Sequence, residues 1–356
     1  MAYTTIDDPS AHFHIQTWTG TSDDSTKTIT NSANAGDFKP DWLWIKARSG
    51  NYSTRDHALY DSNRGATKRI ESSAADTEAT DSNNTFNTNG FTLTSNYSIN
   101  GPSTNHVGWQ WKVNGGSTSS NSDGNITSTV QANTTAGFSI VTFTGNATAG
   151  QTGGHGLGVK PQVIFAKNRS NGNNWNVYAE PTDNTGDYTL TLNGTGARSN
   201  SFNMWNDTAP TSSVITLGDR NETNGSGHNM VFYCFHSIKG YSKISSYKGN
   251  GNANGAFVYT GFRPAFILGK HTGSGGNDWI IQDSTRFPTN LVSEYIRANT
   301  SDAETDQYDV DIDILSNGFK CRGSSGNINT NDSVHFYMAF AEHPFVSSEG
   351  VPVTAR

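Results

Sequence analysis

The sequence predicts an all-β chain of three tandem antiparallel units, each a β-sandwich or jelly-roll-like fold. Three observations carry this prediction. Short runs rich in Val, Ile, Phe, Tyr, Trp and Thr are bounded by Gly, Asn, Asp and Ser, as strands are bounded by turns. Asn-Gly pairs recur, among them Asn89-Gly90, Asn193-Gly194, Asn254-Gly255 and Asn317-Gly318, and such pairs accept the positive φ of tight turns. Finally, one ordered set of short motifs occurs three times, the signature of repeated units.

The motifs follow one another in the same order in each copy. An aromatic-x-Gly turn comes first: Trp18-Thr19-Gly20, Phe143-Thr144-Gly145 and Tyr247-Lys248-Gly249. Then comes a basic residue, Pro and an apolar run that ends in Lys, as in Lys39-Pro40 to Lys46, Lys160-Pro161 to Lys167, and Arg263-Pro264 to Lys270. A second short strand begins at His57, Trp175 and Trp279. Asn89-Gly90-Phe91 and Asn317-Gly318-Phe319 match closely, and Val214–Leu217 takes that place in the middle copy. Each copy closes on an aromatic strand: Val107–Trp111, Met230–Phe235 and Val334–Phe340. Trp109 and Trp111 lie two residues apart, hence on one strand face. The only helical pieces expected are single turns near Ser301–Glu304 and in 71–78.

These repeats divide the chain. Residues 1–13 read as an N-terminal arm, 14–114 as the first sandwich, and 115–136 as a Gly/Ser/Asn-rich linker. Residues 137–239 and 240–346 read as the second and third sandwiches, and 347–356 as a C-terminal tail. Three small cores, one per sandwich, account for the apolar residues.

Composition narrows the function. Of 356 residues, 33% are hydrophobic and 15% charged, with 24 Lys+Arg against 31 Asp+Glu and a net charge of −7. With no basic run, the chain lacks the footprint of a nucleic-acid binder. Its apolar runs are far too short for membrane insertion. The N-terminal residues show no basic stretch followed by an apolar one, so no signal peptide is expected. Cys234 and Cys321 read as small buried hydrophobes rather than a disulfide framework.

Few residues suggest chemistry. Asp309, Asp311 and Asp313 alternate with apolar residues, so a strand would project all three from one face, as a solvated edge, a calcium site or a catalytic set. The pattern resembles the acid-x-acid-x-acid strand of laminarinase-type glucanases, with Asp where that family has Glu at the outer positions. Retaining hydrolysis needs carboxyl groups about 5–5.5 Å apart, and the shorter side chains count against it. Asp23-Asp24 and Asn221–Asn224 also offer hard oxygen ligands to calcium, and no other cofactor is expected. Lys46, Lys167 and Lys270 end a core strand in every copy and suit a structural role, for instance pairing with Asp61 or Asp283, with a ligand contact as the alternative. Tyr52, Tyr97, Trp205 and Phe287 fall in polar loops and are the candidates for stacking on sugar rings.

The third copy carries the clearest resemblance. Tyr241–Gly251, Gly255–Phe266, Leu315–Lys320 and Met338–Phe345, with Trp205–Val214 in the second copy, resemble repeated lectin-like domains of marine tailed-phage structural proteins. Those domains are concanavalin A/laminin-G-like sandwiches of unknown function, and the resemblance spans about residues 13 to 345. It implies a non-enzymatic virion protein, made in the host cytoplasm and exposed on the particle as a tail appendage, fibre or capsid decoration. Expected partners are other virion proteins, further copies of the chain and a host-surface glycan, with the 1–13 arm suited to docking. A receptor-binding lectin and a glycan depolymerase are the alternatives.

Overall fold

Successive residues of a strand point to opposite faces. In Trp42-Leu43-Trp44-Ile45 both sets are apolar, so this strand must be covered on both sides. The computed structural model, which describes residues 3–21, 25–31, 38–94 and 96–352, shows how. The chain is all-β.

The first copy contributes β1 (Phe13–Thr19), β2 (Lys27–Thr30), β3 (Trp42–Gly50), β4 (Ala58–Asp61), β5 (Gly65–Ile70), β6 (Ala79–Thr80), β7 (Asn84–Asn87), β8 (Gly90–Leu93) and β9 (Thr104–Trp111). The second contributes β10 (Ser119–Asn121), β11 (Ser128–Asn133), β12 (Phe138–Thr144), β13 (Gln151–Gly154), β14 (Val163–Asn168), β15 (Asn176–Ala179), β16 (Tyr188–Thr191), β17 (Ser199–Asn200), β18 (Val214–Leu217) and β19 (Asn229–Phe235). The third contributes β20 (Ser242–Lys248), β21 (Phe257–Tyr259), β22 (Phe262–His271), β23 (Trp279–Asp283), β24 (Ile296–Arg297), β25 (Ile312–Leu315), β26 (Gly318–Cys321) and β27 (Val334–Pro344).

Pairing repeats with the motifs. The main sheets contain β1-β9-β3-β4-β5, β12-β19-β14-β15-β16 and β20-β27-β22-β23-β24 in the same spatial order. A smaller sheet accompanies each: β2-β8-β7, β13-β18 and β21-β26-β25. The stretch 115–136 is not a linker, because β10 and β11 extend the second main sheet beyond β12. The single turns expected near 71–78 and 301–304 are absent. Helical turns stand instead at α1 (Tyr97–Asn100), α2 (Phe202–Trp205), α3 (Asn221–Asn224) and α4 (Gly326–Asn329).

The aromatic-x-Gly turn has one cause in all three copies. A Cβ at Gly20, Gly145 or Gly249 would meet the carbonyl oxygen of Gly101, Gly225 or Thr330 at 2.0, 2.5 and 2.3 Å. Only glycine lets the strand pass that close to the helix end. Beside it, Asn100, Asn224 and Asn329 end α1, α3 and α4, and each accepts a backbone N–H from the residue after the glycine, at 3.1, 2.9 and 2.9 Å.

Among the described residues the buried apolar side chains form four cores rather than three. One lies inside each copy: Leu43, Ile45 and Phe91 in the first, Ile164, Phe232 and Trp205 in the second, Ile267, Phe319 and Tyr337 in the third. The fourth is the largest and is shared, gathering Trp42, Trp44, Trp111, Phe165, Tyr233, Phe235, Phe266, Leu268 and Phe340 from the other faces of all three main sheets. At its centre Trp111, Phe235 and Phe340 occupy the same register position, one per copy. Their ring centroids are 6.5, 5.6 and 6.0 Å apart pairwise, a pseudo-threefold triangle.

Contacts between copies close into a ring. The Lys46 ammonium of the first copy donates to the Ser301 carbonyl of the third at 3.1 Å. Lys167 of the second donates to Ala75 of the first at 2.8 Å, and Lys270 of the third to Thr195 of the second at 3.2 Å. Each also donates to its own loop, at Ser53, Asn173 or Asn277. These lysines therefore tie copies together through carbonyls, whereas Asp61 and Asp283 pair with Arg64 and Arg286. Burial lowers Lys46 to about 7, and Lys167 and Lys270 to about 8. Three equivalent residues, His57 and Trp175 just before β4 and β15 and Trp279 at the start of β23, repeat the link. Trp175 Nε1 donates to the Glu71 carbonyl at 2.7 Å, Trp279 Nε1 to Thr191 at 2.8 Å, and His57 Nε2 lies 2.9 Å from the Arg297 carbonyl.

The arm is docked on the chain itself. The Tyr3 hydroxyl donates to the Gly261 carbonyl at 2.8 Å, the Lys239 ammonium sits 4.5 Å from the Tyr3 ring centroid, and Ile6 enters the shared core. Residues 3–13, read from the sequence as an arm suited to docking, are thus packed on their own chain.

Two predictions arise from this packing. Gly269 faces a small internal void of the third copy lined by Ile267, Ile280 and Phe319, where Ile45 and Ala166 stand in the other copies. A Cβ there would meet only the Phe336 carbonyl at 3.9 Å. Gly269→Ala is expected to raise stability by about 0.5–1 kcal/mol. A lowered midpoint in urea unfolding would show that the void is not available.

The second concerns acid. Burial pushes His106, His155 and His335 down to about 4, and burial plus the neighbouring Lys46 holds His57 well below its ordinary 6.5. His57 is neutral by geometry, since its Nδ1 accepts from Trp44 Nε1 at 2.7 Å. Between about 4 and 6.5 the unfolded chain binds more protons than the folded one, so stability falls as pH falls through that window. Each unit of depression is worth about 1.4 kcal/mol. Urea unfolding at pH 7 and pH 4.5 checks this, and equal midpoints would contradict it.

Candidate functional site

The loop leaving β3, β14 or β22 meets the one-turn helix α1, α3 or α4 in each copy, and its outer face differs among them. In the first copy the Asn96 side chain caps α1 by accepting from the Ser98 N–H at 2.9 Å. This sets Tyr97 against Tyr52 from the β3 loop, with rings stacked 4.2 Å apart at 20°. Gly101 makes the room, because a Cβ there would touch the Tyr52 ring at 2.8 Å. The Arg55 guanidinium lies 5.9 and 5.8 Å from the two ring centroids. Tyr97 remains 39% exposed. Stacked rings of this kind offer a flat apolar face bordered by hydroxyl and guanidinium donors.

In the second copy the same junction is a polar groove of about 400 Å³, lined by Asn173, Asn203, Asp219, Arg220, Asn221 and Glu222. The buried Asn168 side chain joins its two walls, donating to the Asn221 carbonyl at 2.5 Å and to Asn173 Oδ1 at 3.2 Å. Asn203 Nδ2 donates to Asp219 Oδ1 at 2.6 Å. Amides and carboxylates in this density suit a hydroxyl-rich ligand, each group making a directional hydrogen bond. In the third copy the junction is closed by its own contacts, Asn327 Oδ1 accepting the Asp278 N–H at 2.7 Å.

The structure thus brings Tyr52 and Tyr97 together and separates the other two sugar-stacking candidates. Trp205 is 1% exposed and packs on Tyr178 and Phe232 in the core of the second copy. Phe287 packs half-buried against the core of the third, with Arg286 over its ring. Both lie in segments whose polar composition looked like open loop. Arg55, Asn173, Asn203, Asp219 and Arg220 escaped the sequence reading, whereas Asn221 and Glu222 appeared in it only as oxygen ligands for calcium. Arg55 and Asn173 follow the recurrent Lys by a few residues, which marks the loop of the junction.

The acidic segment is also rearranged. Strand β25 begins only at Ile312, so Asp309 and Asp311 precede it and no single strand face carries all three carboxylates. Asp309 stands in a turn with φ of 54° and accepts from the Ser324 N–H and hydroxyl at 2.7 and 2.9 Å. Asp313 lies 3.4 Å from Arg322. Burial and the nearby Asp309 and Asp306 raise the pKa of Asp311. Among the described residues no group of three or more His, Cys, Asp or Glu side chains is placed to hold a metal ion. Asn221–Asn224 form α3, with Thr223 and Asn224 buried, and Asp23-Asp24 lie outside the described residues.

Fold and junctions together define an all-β protein of repeated sandwiches fused around a common core, with its variable chemistry on peripheral loops. The chain belongs to the family described as a domain of unknown function (DUF7483), which matches residues 8–344. No curated protein and no solved structure matches it.

Proposed function

We propose that this chain is a non-enzymatic structural protein of a tailed-phage virion. It stands on the particle surface as a tail appendage or capsid decoration and contacts host glycans through the junctions of its first two copies. The observation that carries this reading is the shared core. Three sandwiches locked by a ring of buried contacts make a stiff block, while the equivalent outer junctions diverge from Tyr/Tyr/Arg to an amide-rich groove. A stiff body with varied outer loops suits a surface component better than a single enclosed reaction pocket does. The resemblance of the repeats to phage structural domains points the same way.

Purified particles test the placement: antibody against the chain should label intact virions, and its absence from particles made by the producing phage would remove the reading. Glycan contact is tested separately. Tyr97→Ala removes one ring of the stack, worth about 0.5–1.5 kcal/mol. Binding to a host polysaccharide is expected to weaken about three- to tenfold, with the fold unchanged by circular dichroism. Unchanged affinity would move the contact away from this platform.

A further inference from the structure

Beside β1 lies a cleft of about 280 Å³, between the first and third copies. Its walls include Phe13 and Ile15 of β1 and Ala265, Ser284, Thr285, Ala341 and Glu342 of the third copy. The pseudo-threefold relation identifies what fills the same place elsewhere. Ser62 and Ser284 are equivalent, since each donates its backbone N–H at 2.9 Å to the carbonyl of an equivalent residue, Asp41 and Ala265. Asn63 then corresponds to Thr285, and Phe13 and Ile15 correspond to Phe138 and Ile140 by their pairing with β9 and β19.

At the interface of the second copy with the first, that space is occupied by β11. It pairs with β12 from Asn133↔Phe138 to Thr129↔Thr142. Its outer side meets the first copy: Ser62 Oγ donates to Gln131 Oε1 at 3.0 Å, Asn63 Nδ2 to the Thr129 carbonyl at 3.3 Å, and Asn133 Nδ2 to the Val113 carbonyl at 2.8 Å. Strand β1 has no such neighbour among the described residues, being the terminal strand of its sheet. Its unpaired groups face the cleft. The His12 carbonyl accepts from Lys112 and the Gly20 N–H donates to Thr104, so the even-numbered residues between them face β9. The N–H and C=O groups of Phe13, Ile15 and Thr17 therefore point outward.

We infer that the outer edge of β1 is a docking site for an extended peptide segment of a partner protein, which adds as a strand antiparallel to β1 where β11 adds to β12. Strand addition takes its affinity from main-chain hydrogen bonds and its specificity from alternate side chains. The β11 sequence Ser128-Thr129-Val130-Gln131-Ala132-Asn133 shows the chemistry required: amide or hydroxyl side chains at the positions facing Ser284 and Thr285, and small apolar residues between them. The site is the pseudo-threefold equivalent of the interface between the second and first copies, which β11 completes. It stands on this geometry whether or not the partner belongs to a virion.

The test adds an acetylated, amidated peptide of residues 126–134 to the intact chain and reads calorimetry and amide exchange. The expected result is saturable one-to-one binding with slowed exchange at Phe13, Ile15 and Thr17. Thr17→Pro removes one outward donor at an exposed edge position where proline is tolerated, and Thr285→Trp blocks the cleft. Each should weaken binding about tenfold or more. Three results would overturn the inference: no binding at millimolar peptide, protection appearing at Phe138–Thr142 instead, or an affinity in both variants equal to that of the parent chain. Self-association of the chain alone that protects the β1 amides would assign the edge to a second copy and also overturn it.

Discussion

Replacing Trp111 with alanine is expected to loosen all three copies at once. Its indole packs 4.5 Å from Trp42 within its own copy, and 6.5 and 5.6 Å from Phe235 and Phe340 of the other two, measured between ring centroids. Removing a buried Trp costs about 3–5 kcal/mol through lost transfer energy and the cavity left behind. The distinctive outcome is where the loss is felt. Amide exchange should rise in β14 and β22 as well as in β3, because those strands lose the same central contact. Phe235→Ala and Phe340→Ala stand at equivalent positions and should behave alike. Acceleration confined to β1, β3 and β9 would mean that the copies are packed together without being energetically joined.

The second large effect lies in the charges buried between copies. Arg64 and Asp61 are fully buried, with Nε 2.5 Å from Oδ2, and Arg64 also reaches Glu78 at 2.9 Å. Glu78 accepts in turn from Arg169 of the second copy at 2.7 Å, and the Tyr233 hydroxyl donates to Asp61 at 2.6 Å. Burial alone would raise the pKa of Glu78, but Arg169 and Arg64 outweigh it and hold the carboxyl below its ordinary value. The third copy repeats the arrangement at its junction with the first: Asp283, Arg286, Glu304 and Arg48. Arg64→Met keeps the volume and removes the charge, leaving Asp61 buried without its cation. Removing one partner of such a pair costs about 3–5 kcal/mol. Adding Asp61→Leu to Arg64→Met should recover part of that loss, since the pair is then gone rather than broken. Urea unfolding of the single and double variants reads both numbers, and a single variant within about 0.5 kcal/mol of the parent would contradict the account.

The third junction shows how the ring tolerates a change. Ala179 and Thr182 stand in the second copy where Asp61 and Arg64 stand in the first. Arg198 takes the place of Glu78 and Glu304, and its backbone N–H donates to the Thr272 carbonyl at 3.0 Å as theirs do to Arg169 and Arg48 at 3.0 and 2.9 Å. The backbone link is kept while the ion network is not.

Much of the fold was legible in the residues. Four of the five motifs mark main-sheet strands and the fourth in order marks β8, β18 and β26 of the smaller sheets, because each is a strand or turn with a local cause, as at Gly20, Gly145 and Gly249. The closure of the copies was not legible, for two physical reasons. Lys46, Lys167 and Lys270 reach across to the carbonyls of Ser301, Ala75 and Thr195, and a backbone acceptor leaves no mark in a side-chain pattern. The second buried face was written in Trp42–Ile45 and Met230–Phe235, runs with no polar alternation, yet a run of that length also fits a strand buried within one sandwich. At the candidate site, Tyr52 and Tyr97 were visible singly, but only the packing of α1 on the β3 loop makes them a pair. The acidic alternation at Asp309, Asp311 and Asp313 was real and the strand beneath it was not, because the turn at Asp309 holds the chain until Ile312.

That three copies form one cooperative body is tested most directly by scanning calorimetry of the intact chain at neutral pH. A shared core and a closed ring predict one transition whose calorimetric and van't Hoff enthalpies agree. Two or three separable transitions, or a van't Hoff enthalpy near a third of the calorimetric value, would show instead that the sandwiches unfold independently.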